Sequence, residues 1–138
     1  MKKPVNTILF IDDDKVTNFY NRKIVNKYQK VKNIISVNSG RSALEYLLDI
    51  EVKNAIKPDL IFLDINMPGM SGWEFIEEYK KINPNITKGI KIMLLTTSSN
   101  QEDYERSKQI SIIDGFINKP LSVDILEDIV NEHYEEIK

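Results

Sequence analysis

Five short apolar runs recur along the chain, and the stretches between them carry apolar residues three and four positions apart. Ile8-Leu9-Phe10-Ile11 is continuous and stops at Asp12-Asp13-Asp14, which reads as a strand buried on both faces. Val16, Phe19, Tyr20, Ile24 and Tyr28 then follow at helical spacing behind Asp14, a candidate N-cap, and predict a helix that lays this face on a sheet. Asn33 to Val37 is a second, weaker strand. Ser39-Gly40 opens a helix whose apolar side is Ala43, Leu44, Leu47 and Leu48, and Glu51 to Lys57 is a polar connection. Leu60-Ile61-Phe62-Leu63 runs straight into Asp64 and the loop Ile65-Asn66-Met67-Pro68-Gly69-Met70. Ser71 and Glu74 have capping-box spacing for a third helix with Phe75, Ile76, Tyr79 and Ile82 inside, ended by Asn83-Pro84.

Ile90 to Leu95 is the fourth strand and leads into Thr96-Thr97-Ser98-Ser99, after which Asn100 caps a helix over about Gln101 to Ile110. That helix offers only Tyr104 and Ile110 for burial, so it is expected to be the least firmly packed element. Gly115-Phe116-Ile117-Asn118 is a short fifth strand closed by Lys119-Pro120. Ser122 caps a last helix with Ile125, Leu126, Ile129, Val130, Tyr134 and Ile137 inside. Strands alternating with helices, joined by right-handed crossovers, give an α/β fold: a doubly wound, five-stranded parallel sheet with five helices.

Composition narrows the class. With 138 residues, 41% of them hydrophobic, the chain makes one domain, 1–138, with a sizeable core and no room for a second. The net charge is −2 and the charges are scattered, so no nucleic-acid or membrane surface is suggested. Cysteine is absent, which excludes disulfides, thiolate metal sites and cysteine nucleophiles. The first apolar run is too short for a signal peptide or a membrane span, so a cytoplasmic protein is expected.

The chemistry follows from the topology. All C-terminal strand ends of a parallel sheet lie on one edge, so Asp12, Asp13, Asp64, Thr96 and Lys119 are expected to meet there. Three carboxylates within a few ångströms repel unless a cation neutralises them or some protonate. An all-oxygen donor set points to a hard divalent ion, Mg²⁺ first. A metal beside Asp64 would let its carboxylate attack phosphorus, and Lys119 and Thr96 could donate to phosphoryl oxygens.

These residues and the motifs LDINMPGMSG and NKP resemble the receiver domain of two-component response regulators, typified by the chemotaxis regulator, over about Thr7 to Ile137. The resemblance implies a flavodoxin-like (βα)5 receiver fold with Asp64 as phosphoacceptor. It makes Asp12 and Asp13 the acidic pair for Mg²⁺, with Asp13 the more direct ligand and the Asn66 backbone carbonyl a third. Thr96 becomes the switch hydroxyl, Lys119 the phosphate-binding lysine and Phe116 the switch aromatic. The implied partners are a sensor histidine kinase or histidine phosphotransfer protein as donor. A downstream protein would meet the face made by the fourth helix, fifth strand and fifth helix, in a monomer or a phosphorylation-dependent dimer, and no effector domain is expected.

Phe116 lacks the tyrosine hydroxyl found in many relatives, Thr97 replaces a common alanine, and Asn66 and Ser98 occupy positions that tune dephosphorylation in the family. A phosphatase of the haloacid dehalogenase type is the enzyme alternative, but it usually carries a second Asp where this chain has Asn66. The third alternative is an unphosphorylated binding module on the same fold, or one bearing a nucleotide or flavin; the complete acidic pair argues against a degenerate receiver, and acids where a Gly-rich phosphate loop would stand argue against a nucleotide. His133, the single histidine, reads as a structural residue on the last helix. Trp73 reads as local cover near the site and a fluorescent reporter of it.

Overall fold

The computed structural model describes residues 4–98 and 100–134; the predicted placements of Ile137 and Ser99 lie outside them. Its elements are β1 (Thr7–Ile11), α1 (Lys15–Tyr28), β2 (Asn33–Val37), α2 (Gly40–Val52), β3 (Leu60–Leu63), α3 (Gly72–Tyr79), α4 (Pro84–Thr87), β4 (Lys91–Thr96), α5 (Gln101–Lys108), β5 (Ile113–Asn118) and α6 (Val123–His133). The strands form one parallel sheet in the order β2-β1-β3-β4-β5. The chain therefore reverses its direction of growth between β1 and β3, and a crevice opens above their C-terminal ends.

Alternate residues of the central strands feed two separate cores, which is why their sequences read as unbroken apolar runs. Ile8, Phe10, Leu60, Phe62, Met93 and Leu95 pack with Val25 and Tyr28 of α1 and with Leu126, Ile129 and Val130 of α6. Phe10 and Phe62 stack with ring centroids 5.2 Å apart. Leu9, Ile11, Ile61, Leu63, Ile92 and Leu94 face the other way, onto Ala43 and Leu47 of α2 and Phe75, Ile76 and Tyr79 of α3. No helix among the described residues is long and apolar enough to cross a membrane.

The predicted caps are all present: Asp14 accepts the Val16 amide, Ser39 that of Ser42, Asn100 that of Glu102 and Ser122 that of Ile125, while Ser71 and Glu74 close a reciprocal capping box. Six helices are found among the described residues, where five were predicted. α3 stops at Tyr79, short of Asn83-Pro84, which leaves Ile82 in the turn beyond the helix; Asn83 caps a separate single turn by accepting the Asn85 amide at 2.9 Å, with Pro84 at its first position.

Three predicted apolar faces need correction. On α1 the buried residues are Asn21, Val25 and Tyr28, whereas Val16 is 74% and Phe19 61% exposed and Tyr20 is also open to solvent. Tyr20 instead donates its hydroxyl to the Leu121 carbonyl at 3.0 Å, tying α1 to the segment after Lys119. Leu48 lies on the outer side of α2. On α5, Tyr104 is exposed, and only Ser107 of that helix is buried. The expectation of light packing for this helix, predicted as the fourth and found as α5, holds, with even less burial than the sequence suggested.

Candidate functional site

The site is built by backbone ladders that run out at the same edge. The Asp12 amide donates to the Val37 carbonyl at 3.2 Å, the Asp64 amide to Ile11 at 3.0 Å and the Lys119 amide to Thr96 at 2.8 Å. Each bond extends a strand pairing by one residue, so the side chains at 12, 64, 96 and 119 project from adjacent strand ends. A cis Lys119-Pro120 peptide follows immediately.

One glycine sets how closely the next helix approaches. A Cβ on Gly72 would stand 2.6 Å from the Asp64 carbonyl oxygen and 2.9 Å from the Ile65 Cα, both backbone atoms with little room to yield. The Gly72 amide meanwhile donates to Ile65 at 2.8 Å, drawing the start of α3 against the loop after Asp64. Gly69 is a different case, with open space around its Cβ position but a φ of 81°. Gly72→Ala is expected to cost about 2 kcal/mol or more by overpacking, against about 1 kcal/mol for Gly69→Ala through backbone strain alone. Urea unfolding of the two variants reads the difference, and equal costs would contradict the close-approach account.

Asp12, Asp13 and Asp64 can each place a carboxylate oxygen within 4.8 Å of the others. Asp12 and Asp64 are buried and Asp13 is exposed, so the cluster has two fixed members and one at the solvent mouth. The Lys119 ammonium bridges two of them, 2.6 Å from Asp12 Oδ2 and 3.7 Å from Asp64 Oδ1. Asp12 also accepts the Asp14 amide at 2.9 Å, and its own carbonyl accepts the Asn18 side-chain amide at 2.8 Å. Burial pushes the Asp64 carboxyl above the usual carboxylate range; Asp12 and Asp13 push it the same way, and Lys119 opposes them. The cluster thus carries more negative charge than one lysine balances, and its donors are all hard oxygens. That donor set fits a divalent cation such as Mg²⁺.

Thr96 is fully buried, and its hydroxyl oxygen accepts the Ser98 amide at 3.2 Å. Phe116 is partly buried and meets Tyr104 edge-on, with centroids 5.6 Å apart. Asn66 is exposed and lines a groove with Pro68, Ser71, Trp73, Asp103 and Arg106 beside the site. Trp73 is almost wholly buried, with the Arg106 guanidinium 4.5 Å from its ring centroid, so the residue read as cover is a bridge between α3 and α5. Thr97 is exposed. His133 lies at the other edge of the sheet, in a groove shared with Lys91 at the start of β4, and 3.8 Å from Glu132. Asp12, Asp13, Asp64 and Lys119 therefore lie together at the strand ends as expected, whereas the Asn18 and Tyr20 hydrogen bonds and the Arg106–Trp73 contact were not anticipated. A polar residue on the sheet-facing arc of α1 was the available signal for Asn18.

The comparisons with known proteins agree with this geometry. A family model described as the response regulator receiver domain matches residues 8–131. The response regulator Rcp1 of Synechocystis is 30% identical over 110 residues, covering 79% of this chain and 74% of that protein. A probable cyclic di-GMP phosphodiesterase of Vibrio cholerae is 33% identical over 129 residues, covering 94% of this chain, which spans only 26% of the length of that relative. The crystal structure of a two component response regulator from Cytophaga hutchinsonii superposes with a TM-score of 0.85 at 31% identity, covering 94% of this chain and 97% of that one. With the strand order, the acidic cluster and the lysine that bridges it already in place, the chain belongs to the response regulator receiver domain family.

Proposed function

We propose that this receiver accepts a phosphoryl group on Asp64 from a phosphohistidine on a sensor kinase or phosphotransfer protein, with Mg²⁺ bound, and signals through a changed surface. The observation that carries this reading is the meeting of Asp12, Asp13, Asp64 and the Lys119 ammonium around a carboxylate held at a strand end. An Asp64 oxygen attacks phosphorus, the P–N bond of the donor breaks, and its electron pair returns to the imidazole ring, which takes up a proton. The product on this chain is an acyl phosphate.

Asp12, Asp13, Asp64 and the Asn66 carbonyl would hold the ion, which when bound supplies charge neutralisation between two anions that otherwise repel. Lys119 has its shortest contact with Asp12, so engagement of Asp12 by a cation frees the ammonium for the phosphoryl oxygens. Thr96 turns its hydroxyl toward the same oxygens, and Phe116 follows into the space it leaves. The surface that changes is the face of α5, β5 and α6, where Tyr104 already stands exposed against Phe116. The domain 1–138 acts in this reading as one receiver unit.

Incubation with acetyl phosphate tests it. Intact mass is expected to rise by one phosphoryl group with Mg²⁺ present and to stay unchanged with EDTA. Metal-independent labelling, or turnover of small phosphate esters without a labelled protein, would overturn the reading.

A further inference from the structure

Helix α5 is held by separate contacts instead of a buried apolar stripe. Ser107 is its one buried residue, Tyr104 leans edge-on against Phe116, and Arg106 lies over Trp73. Its first turn is fastened through the loop that precedes it. Ser98 donates its hydroxyl to Asp103 Oδ2 at 2.7 Å and accepts the Asn100 amide on the same oxygen at 3.2 Å. Asn100 in turn caps α5 by accepting the Glu102 amide at 2.8 Å. The Ser98 amide donates to the Thr96 hydroxyl oxygen at 3.2 Å. One half-buried side chain thus joins the buried hydroxyl at the end of β4 to the start of α5.

We propose that Ser98 is a positioning residue that carries the orientation of Thr96 to α5 through Asp103, and that the Arg106–Trp73 contact shifts in response. The inference rests on the phosphoacceptor reading above and adds the route by which that site reaches the helix. A hydroxyl has one hydrogen and two lone pairs, and Thr96 has committed a lone pair to the Ser98 amide. Rotation toward a phosphoryl oxygen withdraws that acceptor, and the half-buried amide must find another by moving the loop. Ser98 moves with its own amide, and the short bond to Asp103 transmits the displacement to the first turn of α5. Asp103 and Arg106 are three residues apart, hence neighbours on one helix face, and both line the groove that Trp73 borders. A shift of that turn alters the guanidinium above the indole. Few buried contacts oppose it, so the population of α5 positions responds to a small bias.

Trp73 is the single tryptophan, so its emission reads the contact directly. The probe is beryllofluoride with Mg²⁺ at saturation, with occupancy followed independently by the ¹⁹F signal of the bound fluoride. In the unmodified protein, binding is expected to change Trp73 emission. Ser98→Ala and Asp103→Asn should bind beryllofluoride and lose most of that change, while Ser98→Thr, which keeps the hydroxyl, should retain it. Asp103→Asn tests the same bond from the helix side if Ser98→Ala folds poorly. Bound fluoride with an undiminished emission change in Asp103→Asn or Ser98→Ala would overturn the inference and leave the phosphoacceptor reading standing. Absence of bound fluoride in the unmodified protein would remove that reading, and the inference with it.

Discussion

Asp64→Asn is expected to abolish labelling by acetyl phosphate while making the metal-free protein more stable. The two effects have one origin. Asp64 is a buried carboxylate whose ionised form is disfavoured by burial and by Asp12 and Asp13, with Lys119 only partly compensating. Its folded-state pKa therefore lies above the unfolded one. Between the two values the folded protein binds more protons, so stability falls as pH rises through that window and stays lower at neutral pH. Asparagine keeps the shape and removes the charge. The gain is on the order of 1 kcal/mol at pH 7, or about 4 °C in Tm for a domain of this size, and it should vanish at pH below the unfolded carboxylate value. Mg²⁺ is expected to narrow the gap by stabilising the unmodified protein more than the variant. Thermal melts at neutral and acid pH, with and without Mg²⁺, check this. A less stable Asp64→Asn at neutral pH would show that the cluster is not electrostatically overloaded.

Lys119→Ala is expected to pull metal binding and phosphorylation in opposite directions. Lys119 is mostly buried and bridges Asp12 and Asp64, so its removal leaves two buried carboxylates facing each other with no cation. The metal-free protein should lose about 3 kcal/mol, the cost of breaking a buried pair from one side. The same loss frees Asp12 for a divalent ion, so Mg²⁺ should bind more tightly than in the unmodified protein and restore much of the stability. The phosphorylation rate should nevertheless fall by about 10²-fold, because a donor aimed at the developing phosphoryl charge is gone. Calorimetric Mg²⁺ titration beside acetyl phosphate kinetics separates the two. Weaker Mg²⁺ binding in Lys119→Ala would contradict the competition between lysine and metal for Asp12.

The strand ends were legible because a parallel sheet allows little choice: an unbroken apolar run followed by an acid, a hydroxyl or a lysine can put that group only at the C-terminal edge. The helix faces were harder. The sheet-facing arc of α1 runs through 18, 21, 25 and 28, and two of those positions are asparagines, one of which donates its side-chain amide to the Asp12 carbonyl. Val16 and Phe19 supplied a competing apolar arc with nothing beneath it. The Asp59 carboxylate, just before β3, accepts the Asn6 and Thr7 amides at 2.8 and 3.0 Å and fastens the entry of β1. Links of that kind, like Ser98 to Asp103 or Arg106 to Trp73, depend on side-chain direction and distance, which periodicity does not encode.

The claim on which the account stands is that the phosphoryl group resides on the carboxylate at 64. Borohydride reduction of the acetyl phosphate-labelled protein, followed by peptide mapping, locates it, because an aspartyl phosphate is reduced to homoserine. Homoserine at position 64 alone, formed only when Mg²⁺ was present, is the predicted result. Homoserine at 12 or 13, or a stable phosphoryl group on His133 or a hydroxyl residue with position 64 unchanged, would contradict it.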